Sequence, residues 1–171
     1  TAVVYQALSA EDAHGSNTAI GYQTLNAQNA GANAFNVAVG HQAGLLVSTG
    51  VRNTLIGALA GDAITSGLYN TVVGYDALST EDGHGTNTAI GAFALKTLNA
   101  GADAYNVAVG YDAGATMTIG SRNTLIGSLT GDALTTGYYN TALGYQALSS
   151  SQTGRNAVAI GYQALMTEAS T

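Results

Sequence analysis

Nine glycines mark the chain at a nearly constant interval: Gly21, Gly40, Gly57, Gly74, Gly91, Gly110, Gly127, Gly144 and Gly161. The steps between them are 19, 17, 17, 17, 19, 17, 17 and 17 residues, so the pattern of steps itself recurs after 70. A fixed short period means stacked units, none of which can bury its apolar side alone. A period of 17 residues is too short for a pair of helices or a strand–helix unit. It suits one coil of a β-solenoid: at about 3.3 Å per extended residue, a coil has roughly 56 Å of chain, enough for two short strands and two turns.

The recurrence extends beyond glycine. "SAEDAHGSNTAIG" (9–21) returns as "STEDGHGTNTAIG" (79–91), and "NVAVGHQAG" (36–44) as "NVAVGYDAG" (106–114). "VRNTLIGALAGDAITSG" (51–67) returns as "SRNTLIGSLTGDALTTG" (121–137). Residues 1–171 therefore read as one repeat domain: two 70-residue blocks of four motifs, plus partial copies. The first copy, "TAVVYQAL", lacks its Asn, so the chain reads as a piece of a longer fibre.

Each motif opens on Asn, at 17, 36, 53, 70, 87, 106, 123 and 140, and runs through Thr or Val and two aliphatic positions to Gly. Short β-branched runs bounded by Asn and Gly are strand signals, and no apolar stripe of helical period is present. The expected class is all-β, a parallel β-solenoid of about ten coils of 17–19 residues. Equivalent residues then form ladders. In the Asn ladder (Asn17, Asn36, Asn53, Asn70, Asn87, Asn106, Asn123, Asn140), side-chain amides can cap turns and bond to one another up the stack. The Gly ladder permits a sharp bend or a close backbone approach. The aliphatic position before Gly is expected to stack inside one protomer through Ile20, Ile56, Ile90, Ile126 and Ile160, so that Ile90→Asp would unfold or dissociate the rod. Both strand faces are apolar, which calls for a second buried surface, most simply another copy of the chain.

Composition narrows the function classes. Charged residues are 8% of the chain and hydrophobic ones 46%, which is not a disordered composition. A net charge of −6 with four basic residues argues against nucleic acid as a partner. No apolar run is long enough to span a membrane as a helix, so no membrane insertion is expected in this segment. With no Cys there is neither a disulfide nor a thiolate site.

The motifs, "NAVAIGYQAL" (156–165) above all, resemble the head repeats of trimeric autotransporter adhesins, of the form N-S-V-A-I-G, and similar repeats in phage tail fibres. The resemblance runs through nearly the whole chain. It implies a left-handed parallel β-roll, a side-by-side homotrimer, an extracellular location on a cell surface or virion fibre, and a structural or adhesive role with a cell-surface glycan or protein receptor. The repeats here are longer than that family's usual ones, which places longer turns on one edge.

Candidate chemistry is sparse. The most polar turn is Glu11, Asp12 and His14, with its twin Glu81, Asp82 and His84. Carboxylates and imidazole at this spacing can ligate a metal, but no calcium-loop pattern is present, and the turn reads as a solvated one available for binding. Asp76 and Asp112 share a column with Gln23, Gln42, Gln146 and Gln163, which a catalytic carboxylate does not tolerate. No nucleophile–base pair stands out. The expectation is no enzyme, no catalytic or metal residue and no cofactor. A Tyr column (Tyr5, Tyr22, Tyr75, Tyr111, Tyr145, Tyr162) could stack on sugars or pack at a protomer edge. A Thr column (Thr18, Thr54, Thr71, Thr88, Thr124, Thr141) is a weak form of the arrays that bind ice. A stand-alone ice- or glycan-binding solenoid is therefore the alternative function, ahead of a polysaccharide-degrading fibre.

Overall fold

A computed structural model describes residues 2–11 and 15–166. Ten short strands stack in chain order into one parallel sheet: β1 (Ala2–Val3), β2 (Thr18–Ile20), β3 (Val37–Val39), β4 (Thr54–Ile56), β5 (Thr71–Val73), β6 (Thr88–Ile90), β7 (Val107–Val109), β8 (Thr124–Ile126), β9 (Thr141–Leu143) and β10 (Val158–Ile160). Register is continuous, with Ala19 opposite Ala38, Ala38 opposite Leu55 and Leu55 opposite Val72. The chain is a parallel β-solenoid, and no helix occurs among the described residues.

Each coil has one short strand, of two residues in β1 and three in the others, where two strands were expected. The remainder is held by turns. After the Gly of each motif, residues of positive φ alternate with ordinary ones: Gln23 (53°) and Leu25 (48°) in one coil, Asp76 (56°) and Leu78 (47°) in another. The Thr24 N–H donates to the Gly21 carbonyl and the Gln28 N–H to that of Leu25. In the first of these turns, residues 21–24, the positive φ of Gln23 at the third position fits the type II geometry, which bends the backbone sharply. On the return side only isolated parallel bridges form, Ser121 with Tyr138 and Tyr138 with Arg155.

The core lies on the other side of the strand from the one expected. The central strand residues, Ala19, Ala38, Leu55, Val72, Ala89, Ala108, Leu125, Ala142 and Ala159, are all buried. Ile20, Ile56, Ile90, Ile126 and Ile160 do stack as a ladder, but on the outer face, 36–65% exposed. Coil width is the reason: a coil so narrow has little room at the strand, and large and small side chains are balanced between neighbouring coils. Where the strand offers Ala19, Ala89 or Ala142, buried Leu25, Leu95 or Leu148 fills the interior from the turn. Where it offers Leu55 or Leu125, the turn positions are Gly. A Cβ at Gly44 or Gly61 would lie 2.6 or 2.9 Å from a Leu55 methyl, and one at Gly114 or Gly131 2.9 or 3.1 Å from a Leu125 methyl. Such large–small pairing keeps the interior at native density.

The Asn ladder is buried, at 0–4% exposure. Its main link joins side chain to main chain. The Asn53 N–H donates to Oδ1 of Asn36 at 2.8 Å, and the Asn70 N–H to Oδ1 of Asn53 at 2.9 Å. The series ends at Ala157, whose N–H donates to Asn140 Oδ1 at 3.0 Å. The amide nitrogens of Asn53 and Asn106 donate to the Gly67 and Gly120 carbonyls at 2.8 and 2.9 Å. Amide-to-amide bonds between ladder members run from Asn123 to Asn106 and from Asn140 to Asn123. Each Asn thus satisfies a buried N–H that falls one residue before the strand ladder begins, a group costly to leave unpaired.

Candidate functional site

The two polar turns are not equally placed. Asp12 and His14 lie outside the described residues, while Glu11 is half-buried and accepts a hydrogen bond from Asn17 Nδ2 at 2.7 Å. In the second copy Glu81 is fully buried, which corrects its assignment to a solvated turn. It occupies a core column that holds buried Gln28, Val47, Ile64, Leu98, Met117 and Leu134 in other coils. Its carboxylate accepts the His84 N–H at 3.2 Å and the Ala100 N–H at 3.4 Å. His84 Nδ1 lies 3.6 Å from Glu81 Oε1. Asp82 is exposed and His84 half-buried, so only these two face solvent as the turn reading required. One ligand atom from each of Glu81, Asp82 and His84 lies within 4.8 Å of the other two. Such a mixed oxygen–nitrogen donor set has the chemistry of a transition-metal ligand group, while the two main-chain bonds give Glu81 a structural role of its own.

Burial raises the Glu81 pKa above its ordinary value, against the lowering effect of the Ala100 and His84 N–H groups and of the His84 charge. A carboxyl whose folded pKa is raised binds its proton more tightly when folded. The stability it contributes is therefore fully present below the unfolded pKa and is lost as pH rises through the folded one. Burial shifts Asp62 and Asp132 in the same direction. Thermal melts are accordingly expected to show the chain gaining stability as pH falls from neutral toward the ordinary carboxylate range. Glu81→Gln, which puts in this column the side chain already present at Gln28, should flatten part of that slope. A slope identical in the variant would show that Glu81 is not its source.

The other polar candidates are occupied or spread out. Asp76 is taken by Lys96, whose Nζ lies 2.8 Å from its carboxylate. The hydrogen bond and charge of Asp76 raise the Lys96 pKa. The Tyr column is exposed, but its rings cover one another. Tyr5 stacks on Tyr22 at 5.9 Å between centroids, Tyr22 on His41 at 5.3 Å, and Tyr145 on Tyr162 at 5.7 Å. The Thr column lies in register on the outer sheet face beside the Ile ladder.

The structure brings together one group that the motif columns did not reveal. The residue before each motif's Asn forms a column, Ser16, Phe35, Arg52, Tyr69, Thr86, Tyr105, Arg122 and Tyr139, in which aromatic and basic side chains alternate on either side of half-buried Thr86 and are all exposed. The Arg122 guanidinium lies between two rings, 5.6 Å from Tyr105 and 5.5 Å from Tyr139. Arg52 lies 5.3 Å from the Tyr69 ring and donates to its hydroxyl at 2.6 Å. The signal was present in the sequence, one position upstream of the column that drew attention.

No protein-family profile, curated protein or solved structure matches the chain. The fold and these columns define its class, a parallel β-solenoid with in-register side-chain ladders on every face.

Proposed function

We propose that the chain is a structural and adhesive segment of an extracellular fibre, on a cell surface or a virion, built as a side-by-side homotrimer and without enzymatic activity. The observation that supports this is the outer sheet face. Ile20, Ile56, Ile90, Ile126 and Leu143 lie 36–45% exposed, in one unbroken column with half-buried Val39, Val73 and Val109. An apolar strip running the length of a rod is a contact surface, and a second and third copy of the same rod match its length and spacing. In this reading the coils space and display the groups on the edges, where a cell-surface glycan or protein is met. The left hand implied by the repeats' resemblance belongs to the same proposal.

Light scattering on the purified chain tests the assembly: a mass of three chains is expected, and a monomer that keeps its β-spectrum would overturn it. The alternative is a stand-alone binding solenoid, favoured by the in-register Thr column beside the Ile ladder. A monomer that depresses the freezing point of water below its melting point would establish that reading instead.

A further inference from the structure

We infer that the edge formed by Arg52, Tyr69, Tyr105, Arg122, Tyr139 and Arg155 binds an anionic polysaccharide laid along the rod. This deepens the attachment role proposed above and rests on it, though not on the trimer.

The argument begins with charge. The chain carries ten Asp and Glu against four Lys and Arg. In such an excess of acid an arginine has many carboxylates with which it could pair. Among the described residues only Lys96 and His84 pair with one. Arg52, Arg122 and Arg155 have none within ion-pair distance, and all three are exposed. Their guanidinium groups lie over tyrosine rings instead. The Arg155 guanidinium is 4.8 Å from the Tyr138 ring, and Tyr138 meets Tyr139 edge-on at 5.5 Å. With Arg122 between Tyr105 and Tyr139, this makes one continuous strip, Tyr105–Arg122–Tyr139–Tyr138–Arg155. The rings hold the guanidinium groups of Arg122 and Arg155 in place and leave their N–H donors, with those of Arg52 that do not meet the Tyr69 hydroxyl, for an oxyanion, which Arg binds through its planar fork.

The fold does not call for these side chains. Arg52, Tyr69, Tyr105, Arg122 and Tyr139 have φ between 54° and 60°, where Gly or Asn would sit with less strain. The coil is held there by main-chain bonds that any residue could make, such as Arg52 N–H to the Ala34 carbonyl and Arg122 N–H to that of Ala104, both 2.7 Å. Tyr69, Tyr105 and Tyr139 are 51–53% exposed, so each keeps surface open beside its arginine.

Spacing selects the ligand class. Coils rise by about 4.8 Å, which puts Arg52 and Arg122, four coils apart, at roughly 19 Å, and Arg122 and Arg155, two coils apart, at roughly 10 Å. One small anion cannot reach two such charges. A nucleic acid duplex is charged far more densely, about once per 1.7 Å, so three guanidinium groups at these spacings would leave most of its phosphates unpaired beside a chain of net charge −6. A polymer whose charges are sparse and whose intervening units have apolar ring faces fits both features: its acid groups meet the guanidinium groups and its sugar rings lie on the tyrosines.

The test uses the full chain and four probes: chondroitin sulfate, hyaluronan, uncharged dextran and single-stranded DNA. Calorimetric titration at about 0.15 M salt is expected to show binding to at least one of the two anionic glycans and none to dextran. Binding should weaken as salt rises to about 1 M, where screening acts within about 3 Å. Arg52→Gln and Arg122→Gln together should lower affinity about tenfold or more, with circular dichroism and light-scattering mass unchanged. Arg122→Lys should recover only part of the loss, because ammonium keeps the charge but not the planar fork. Failure to bind either anionic glycan, equal affinity for single-stranded DNA, or unaltered affinity in the double variant would each overturn the inference. A change of oligomer mass in the double variant would also overturn it, by showing the edge to be a contact between protomers. Light scattering on the unmodified chain judges the trimer separately.

Discussion

Gly91→Ala is expected to disrupt the rod, and Gly161→Ala to be tolerated with a modest loss. Both glycines occupy the same column at similar φ, +132° and +125°. An L side chain in that region strains the backbone by about 1–3 kcal/mol at either site. The difference lies above them. A Cβ on Gly91 would lie 2.3 Å from the carbonyl oxygen of Gly110 in the next coil, while one on Gly161 would meet nothing within 4 Å. Because Gly110 is itself held by its N–H to the Ile90 carbonyl at 2.7 Å, the stack cannot open at one point without losing sheet bonds. The cost at Gly91 is then about 4 kcal/mol or more, strain and overpacking together, against roughly 1–3 kcal/mol at Gly161. Urea titration followed by circular dichroism measures both, and equal costs would show that stacking clearance does not set the glycine column.

The second large effect separates two adjacent residues. Leu125→Asp should prevent folding, because it places a carboxylate among Leu95, Gly114 and Gly131 in the apolar coil interior. A buried unpaired charge costs about 4 kcal/mol or more. Ile126→Asp, one residue on, points outward at 37% exposure. It should cost the isolated coil about 1 kcal/mol or less, while removing the apolar strip that the proposed trimer requires. The expected pair of results is an insoluble or unfolded Leu125→Asp chain and a folded, monomeric Ile126→Asp chain. A folded trimer of the Ile126 variant would show that this face is not the contact surface.

That pair of residues also shows where sequence reasoning reached its limit. Alternation places residues 125 and 126 on opposite faces of a strand, and both are large and aliphatic. The face that turned inward was set by the width of the coil, a property of the closed loop. Once the loop closes, turn residues such as Leu95 and Leu148 already fill the interior, leaving room at the strand for Ala in most coils. The Leu/Gly exchange between Leu125 and its neighbours Gly114 and Gly131 was visible in the repeats, but it has meaning only once those positions are known to touch. Glu81 was misplaced for the same reason. As part of "EDGHG" it reads as polar and exposed, yet its column position, seven after the motif Gly, is one that faces the core.

The sequence by itself determined the period, the parallel stacking, the register of every ladder and the absence of helix. These follow from identity at fixed spacing, because one short repeat can satisfy its main-chain bonds only by placing like on like. The buried Asn and crowded Gly columns were legible for that reason, each demanded by the backbone of the neighbouring coil. Tertiary structure alone decided which strand face is interior, that one strand and not two forms per coil, and that, among the described residues, three arginines on one edge form no ion pair with a carboxylate. Those depend on distances across the coil and between its edges, which are fixed only when the turns close, and periodicity along the chain carries no information about them.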